Sequence, residues 1–165
     1  MDDICDLILD DHEKMRRQFA AMDGESDPAT LAKTWAPLAD LLDLHAAAEE
    51  EIFYPCLLRK GDDANDETRD AIKDHNEIRD AVARARRSKV SSPEWWDAVT
   101  EARKQNSDHM AEEERGALAD FRSNSELETR QDLGRRFRAY REDHRGTGIP
   151  SDDVDPDDYI QRQLG

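Results

Sequence analysis

Two short runs in this chain carry a histidine and a glutamate four residues apart, His45 with Glu49 and His109 with Glu113. On a helix that spacing leaves the two side chains about 40° apart and one turn along, so an imidazole and a carboxylate can reach one ion. Both pairs lie on apolar stripes. Steps of three and four through Leu31, Trp35, Leu38, Leu42, His45, Glu49 and Ile52 trace a core-facing helical surface. Trp95, Val99, Ala102, Asn106, His109, Glu113 and Phe121 trace a second in nearly the same rhythm. A lone carboxylate is costly to bury, and a metal is the natural partner once an imidazole stands beside it.

Two further histidines enter through an internal repeat. Asp11-His12-Glu13-Lys14-Met15-Arg16 aligns with Asp74-His75-Asn76-Glu77-Ile78-Arg79 at an offset of 63, and His45 to Glu50 aligns with His109 to Glu114 at an offset of 64. Two helical hairpins of one design would each give a His from the first helix and a His-x-x-x-Glu from the second. The set His12, His45, Glu49, His75, His109 and Glu113 suits two metal ions, each taking one His from each kind of helix, with the glutamates bridging. Imidazole and carboxylate without thiolate fit iron, manganese or zinc, and an open, oxygen-rich pair of sites fits non-haem iron best.

The neighbouring charges read differently. Glu50, Glu51, Glu112 and Glu114 fall off the inward stripes onto solvated faces, with Glu50 and Glu114 the two placed to support ligands from behind. Asp11, Asp74, Asp108 and Asp143 each precede a histidine, but adjacent helical residues do not face each other, which makes them surface charges. His144 suits a helix C-terminus. Trp35, Trp95 and Trp96 read as packing, while Tyr54 and Tyr140 lie within reach of the bundle centre.

The elements that must position these groups follow from the same periodicity. Helices are expected over about 3–22, 28–58 with kinks near Pro37 and Pro55, a third carrying Ile72, His75, Ile78 and Val82, and a fourth from Pro93 to Phe121. Ser125-Glu126-Leu127-Glu128 matches a capping box opening a shorter fifth helix that ends before Gly146. The fold class is all-α: an antiparallel up-down four-helix bundle over 1–123, an additional C-terminal helix over 124–145 packed on it, and a polar, partly disordered tail over 146–165 adding little core.

Composition narrows the partners. A net charge of −16 disfavours nucleic acid and anionic membranes, which need clustered Lys and Arg. No apolar run approaches a membrane span, and Met1-Asp2-Asp3 lacks the basic and apolar regions of a signal peptide, so a cytoplasmic protein is expected. Cys5 and Cys56 read as small buried hydrophobes in a reducing compartment, not as a disulfide.

At His12, His45/Glu49, His75 and His109/Glu113 the chain resembles the hemerythrin-like family, or HHE cation-binding domain, whose pattern is H, HxxxE, H, HxxxE on four successive helices. Ile52-Phe53-Tyr54-Pro55 is similar to the family's apolar-aromatic-Pro continuation, and the match spans about residues 3 to 122. The resemblance implies a four-helix bundle holding two non-haem iron ions, oxo- or hydroxo-bridged, that meet dioxygen, peroxide or nitric oxide. The oxygen carriers of that family have a second histidine four residues after the first on the third helix, where this chain has Arg79. Losing that imidazole favours exogenous ligand chemistry over reversible oxygen carriage. A peroxide-detoxifying, catalase-like enzyme and an iron or redox sensor acting through a protein partner are the alternatives.

Overall fold

Asp3, Asp27, Ser92 and Asp155 each accept a backbone N–H from two or three residues ahead, and each opens a helix. Three of these caps are followed by proline, whose fixed φ suits the first helical turn and whose missing N–H is no loss there. The computed structural model describes residues 2–165, which form α1 (Ile4–Ala21), α2 (Pro28–Ala48), α3 (Tyr54–Lys60), α4 (Ala64–Arg87), α5 (Pro93–Arg115), α6 (Ala117–Asn124), α7 (Leu127–Asp143) and α8 (Pro156–Leu164). Among the described residues there is no strand, and no helix is long and apolar enough to cross a membrane.

The expected second helix is interrupted once. It continues through Pro37, but a π-helical turn over Glu49–Phe53 joins α2 to α3, with the Tyr54 N–H donating to the Glu49 carbonyl five residues back. Pro55 has no N–H to continue the regular ladder, and the wider turn just before it absorbs the defect. The expected fourth helix is also split, at Gly116, into α5 and α6. Both interruptions fall directly after a His-x-x-x-Glu.

Four long helices close a ring of contacts, α1 on α2, α2 on α4, α4 on α5 and α5 on α1. Their inward faces form two apolar clusters, one containing Ile4, Ile8, Phe53, Leu57, Ile72 and Phe121, the other Met15, Phe19, Trp35, Leu42, Val82 and Trp95. The clusters are separated along every helix by ionisable residues. His12 lies between Ile8 and Met15, and His75 between Ile72 and Ile78, so a polar layer crosses an otherwise apolar core.

The C-terminal third departs from expectation in two places. Ser125 does not complete a capping box; its hydroxyl donates to the Phe121 carbonyl, closing the end of α6, and Glu126 precedes α7 without a side-chain cap. The polar tail adds core after all. Asp155 and Pro156 start α8, which buries Tyr159 and Ile160 against the first cluster, while Asn76 both donates to and accepts from the backbone of Val154.

Gly134 shows how closely α7 approaches α1. A Cβ there would stand 1.7 Å from the carbonyl oxygen of Asp2, so only a residue without a side chain lets the two helices touch at this point. Leu133 and Phe137 are buried on either side.

Candidate metal centre

The four histidines reach the polar layer from α1, α2, α4 and α5, and Glu49 and Glu113 join them one turn beyond His45 and His109. All six side chains are at most 4% exposed. Ligand-capable atoms of His12, His45, Glu49 and Glu113 lie within 4.8 Å of one another, as do those of Glu49, His75 and His109. His12 thus meets His45, and His75 meets His109, each pair joining one histidine from each kind of helix.

Glu49 stands between the pairs. Its Oε1 is 2.9 Å from His45 Nε2 and its Oε2 is 3.2 Å from His75 Nε2. Glu113 directs Oε2 toward His12 Nε2 at 3.3 Å and His109 Nε2 at 4.0 Å, while its Oε1 accepts a hydrogen bond from the buried Tyr54 hydroxyl at 2.5 Å. Tyr140 is not at the centre; it stacks on His144, whose Nδ1 donates to the Tyr140 carbonyl at the end of α7.

Each of the four cluster histidines is held from behind by a carboxylate on another helical segment. His12 Nδ1 donates to Glu114 and His75 Nδ1 to Glu50, at 2.9 and 2.8 Å. His45 Nδ1 donates to Asp11 and His109 Nδ1 to Asp74, at 3.3 and 3.4 Å. A protonated Nδ1 leaves the Nε2 lone pair aimed inward, the tautomer a metal requires. The repeat extends outward, since Arg16 Nη2 donates to Glu114 and Arg79 Nη2 to Glu50, both at 2.6 Å. Arg79 is buried and its guanidinium is thereby turned onto the support of His75.

Asp11 and Asp74 correct the sequence reading, which made them surface charges. Adjacent residues on one helix do face apart, but that leaves Asp11 free to face His45 across the α1–α2 contact, where it is fully buried and also paired with Arg141 and Lys14. Their repeat-equivalent positions, each one residue before a histidine, were the available signal.

The electrostatics are those of an overloaded cluster. Burial by itself would push the His45 imidazole down, but Glu49 and Asp11 beside it raise it to about 10. Burial is likewise outweighed at His75, raised by Glu49 and Glu50 to about 9, and at Glu49, which His45 and His75 hold well below the usual carboxylate range despite its desolvation. Burial followed by the Glu113 charge holds the Tyr54 hydroxyl well above its ordinary range.

With Nδ1 carrying the only ring proton, five atoms of the cluster lack a hydrogen bond: Nε2 of His12 and of His45, both oxygens of Glu49, and Oε2 of Glu113. The Nε2 atoms of His75 and His109 face each other at 3.2 Å. Two inward lone pairs at that distance repel unless a proton or cation lies between them. Ligands each about 2.1 Å from one ion and roughly at right angles stand about 3 Å apart, so the donor set fits a metal.

The family model for the hemerythrin HHE cation-binding domain matches residues 3–121. The chain belongs to this family. The HHE match covers all six residues of the buried cluster and ends at Phe121, before α7 begins. The chain is also 27% identical over 139 residues to a protein of Nostoc sp. (strain PCC 7120 / SAG 25.82 / UTEX 2576) described as a DNA nickase, an alignment covering 82% of this chain and 38% of that protein. The HHE chain therefore spans well under half the length of this relative. No solved structure matches it.

Proposed function

We propose that the chain is a non-haem diiron protein that binds or reacts with a small oxygen species, dioxygen, peroxide or nitric oxide, within an antiparallel up-down bundle. The observation that carries this reading is the convergence of four buried imidazoles and two buried carboxylates, their ligand-capable atoms gathered between two apolar clusters. Without metal the buried carboxylates are matched by protonated imidazoles, and bound cations would take the place of those protons.

His12 and His45 would hold one ion and His75 and His109 the other, with Glu49 shared between them and Glu113 grouped with the first. Iron held in this way supplies redox chemistry and exchangeable coordination positions. The protein's own contribution is orientation. Glu50, Glu114, Asp11 and Asp74 fix each imidazole by its Nδ1 proton, and Tyr54 ties down one oxygen of Glu113 so that the other stays inward.

Arg79 supports the second reading, a peroxide-decomposing enzyme or a redox sensor. Four imidazoles and two carboxylates leave two ions short of full coordination, and the position where the family's oxygen carriers place a further imidazole holds an arginine engaged by Glu50. A surface of net charge −16 speaks against a DNA partner.

Protein expressed with iron is expected to contain close to two irons per chain and to absorb in the near ultraviolet as a bridged ferric pair. Stoichiometric zinc, or no metal, would sink the diiron reading. Optical titration of the reduced protein with oxygen, nitric oxide and peroxide separates ligand binding from turnover. Oxygen evolution from peroxide that persists in His45→Ala and Glu113→Ala would remove the enzymatic reading.

A further inference from the structure

The duplicated hairpins have not stayed equivalent on their outer faces. A cavity of about 180 Å³ opens between α4 and α5–α6, and its inner wall is formed by Tyr54, His109 and Glu113 of the buried cluster. Its mouth is acidic. Asp66, Asp70 and Asp74 stand at successive four-residue steps on α4, with Glu67 beside them and Glu112 facing from α5. Arg69, adjacent to Asp70 in sequence, is paired with Asp66 and Asp157.

The repeat identifies the matching positions on the other hairpin. An offset of 63 carries Glu67, Asp70 and Ala71 back to Ile4, Leu7 and Ile8, and an offset of 64 carries Glu112 back to Ala48. There Glu67, Asp70 and Glu112 are replaced by apolar residues, Asp66 and Asp74 correspond to Asp3 and Asp11, and the face is covered. Leu133 and Phe137 of α7 pack into the same cluster as Ile4 and Ile8, Phe137 lies edge-on to His45, and Arg141 seals the carboxylate of Asp11. One hairpin is closed by a helix while the other is open and lined with carboxylates.

A row of acids alone says nothing about a ligand. Here it ends on Glu113, 4% exposed, whose Oε2 makes no hydrogen bond. We propose that this acidic cleft is the port through which a divalent cation reaches the buried centre, Asp66, Asp70 and Glu112 drawing it from solvent and Glu113 and His109 receiving it. This rests on the metal-site reading above. Clefts lined by one sign of charge raise association rates of the opposite sign by about 10- to 1,000-fold, an effect lost as salt is added.

The test is anaerobic stopped-flow uptake of Co²⁺ by the full-length apoprotein, followed by its visible bands across a range of ionic strength. The variant Asp66→Asn/Asp70→Asn/Glu112→Gln alters exposed side chains only and leaves Asp74, the support of His109, in place. It is expected to take up Co²⁺ at least about 10-fold more slowly at low salt, with a flattened salt dependence, and to reach the same final stoichiometry and band shape.

A control removing equal charge elsewhere, Asp40→Asn/Glu94→Gln/Asp97→Asn, is expected to load like the parent. Asp97 lies fifteen residues from Glu112 on α5, about 22 Å by helical rise. Uptake by the port variant at the parental rate and salt dependence, or equal slowing in the control, overturns the port while leaving the metal site standing. An apoprotein that binds no Co²⁺ overturns both.

Discussion

Asp11 and His45 meet across the α1–α2 contact, with Oδ2 3.3 Å from Nδ1 and the carboxylate entirely out of solvent. The same carboxylate is ion-paired with Arg141 of α7 at 2.8 Å. A residue outside the HHE match thus reaches within one hydrogen bond of a cluster histidine.

Asp11→Asn should weaken metal binding by about 10- to 100-fold, because an amide orients the imidazole without sharing its positive charge. Competition of Co²⁺ between the variant and a chelator measures the change. An affinity equal to the parent's would show that Asp11 serves packing alone.

Metal-free stability should depend on pH in the alkaline direction. Folding raises His45 and His75 from 6.5 to about 10 and about 9, so the folded state binds more protons in that range. Their contribution is fully present below about pH 6.5 and is lost as pH rises through 9 to 10. Thermal unfolding of the apoprotein from pH 6 to 10.5 should show a falling midpoint, whereas the metal-loaded protein should show little slope over the same interval.

Metal uptake near neutral pH should release protons, since both imidazoles are charged in the apoprotein and must be neutral to ligate. Calorimetric titration with Co²⁺ in buffers of different ionisation enthalpy reads the number directly. Heats independent of buffer would contradict the protonated cluster.

Tyr54→Phe removes the donor to Glu113 Oε1 and strands a buried carboxylate oxygen. Destabilisation of about 1–3 kcal/mol is expected in chemical denaturation of the apoprotein. A loss under about 0.5 kcal/mol, the usual range for surface substitutions, would mean that Glu113 finds another donor.

Gly134→Ala places a methyl group on the backbone of Asp2 and should loosen α7 from α1. Overpacking of this kind costs about 1–3 kcal/mol or more. Faster limited proteolysis between residues 124 and 145, with the bundle helices still protected, is the expected pattern.

The sequence alone determined a helical chain, the apolar stripes, the caps at Asp27 and Ser92, and six ionisable residues gathered in the core, because a helix's 3.6-residue period and the high cost of burying charge are both local rules. The repeat added the pairing of histidines from unlike helices. The sequence also marked Glu50 and Glu114 as supports, but tertiary structure alone decided which imidazole each one holds, that Asp11 and Asp74 hold the other two, and which face is open. Asp11, Asp74, Glu50 and Glu114 act across helix contacts, where relative rotation and offset place two side chains in ways no single-helix rule describes. The burial of Tyr159 and Ile160 and the covering of one hairpin by α7 depend likewise on long-range docking, made possible at one point by the missing side chain of Gly134. In a polar tail two buried residues leave almost no periodic trace, and a glycine's value to its neighbour is visible only once that neighbour is in place.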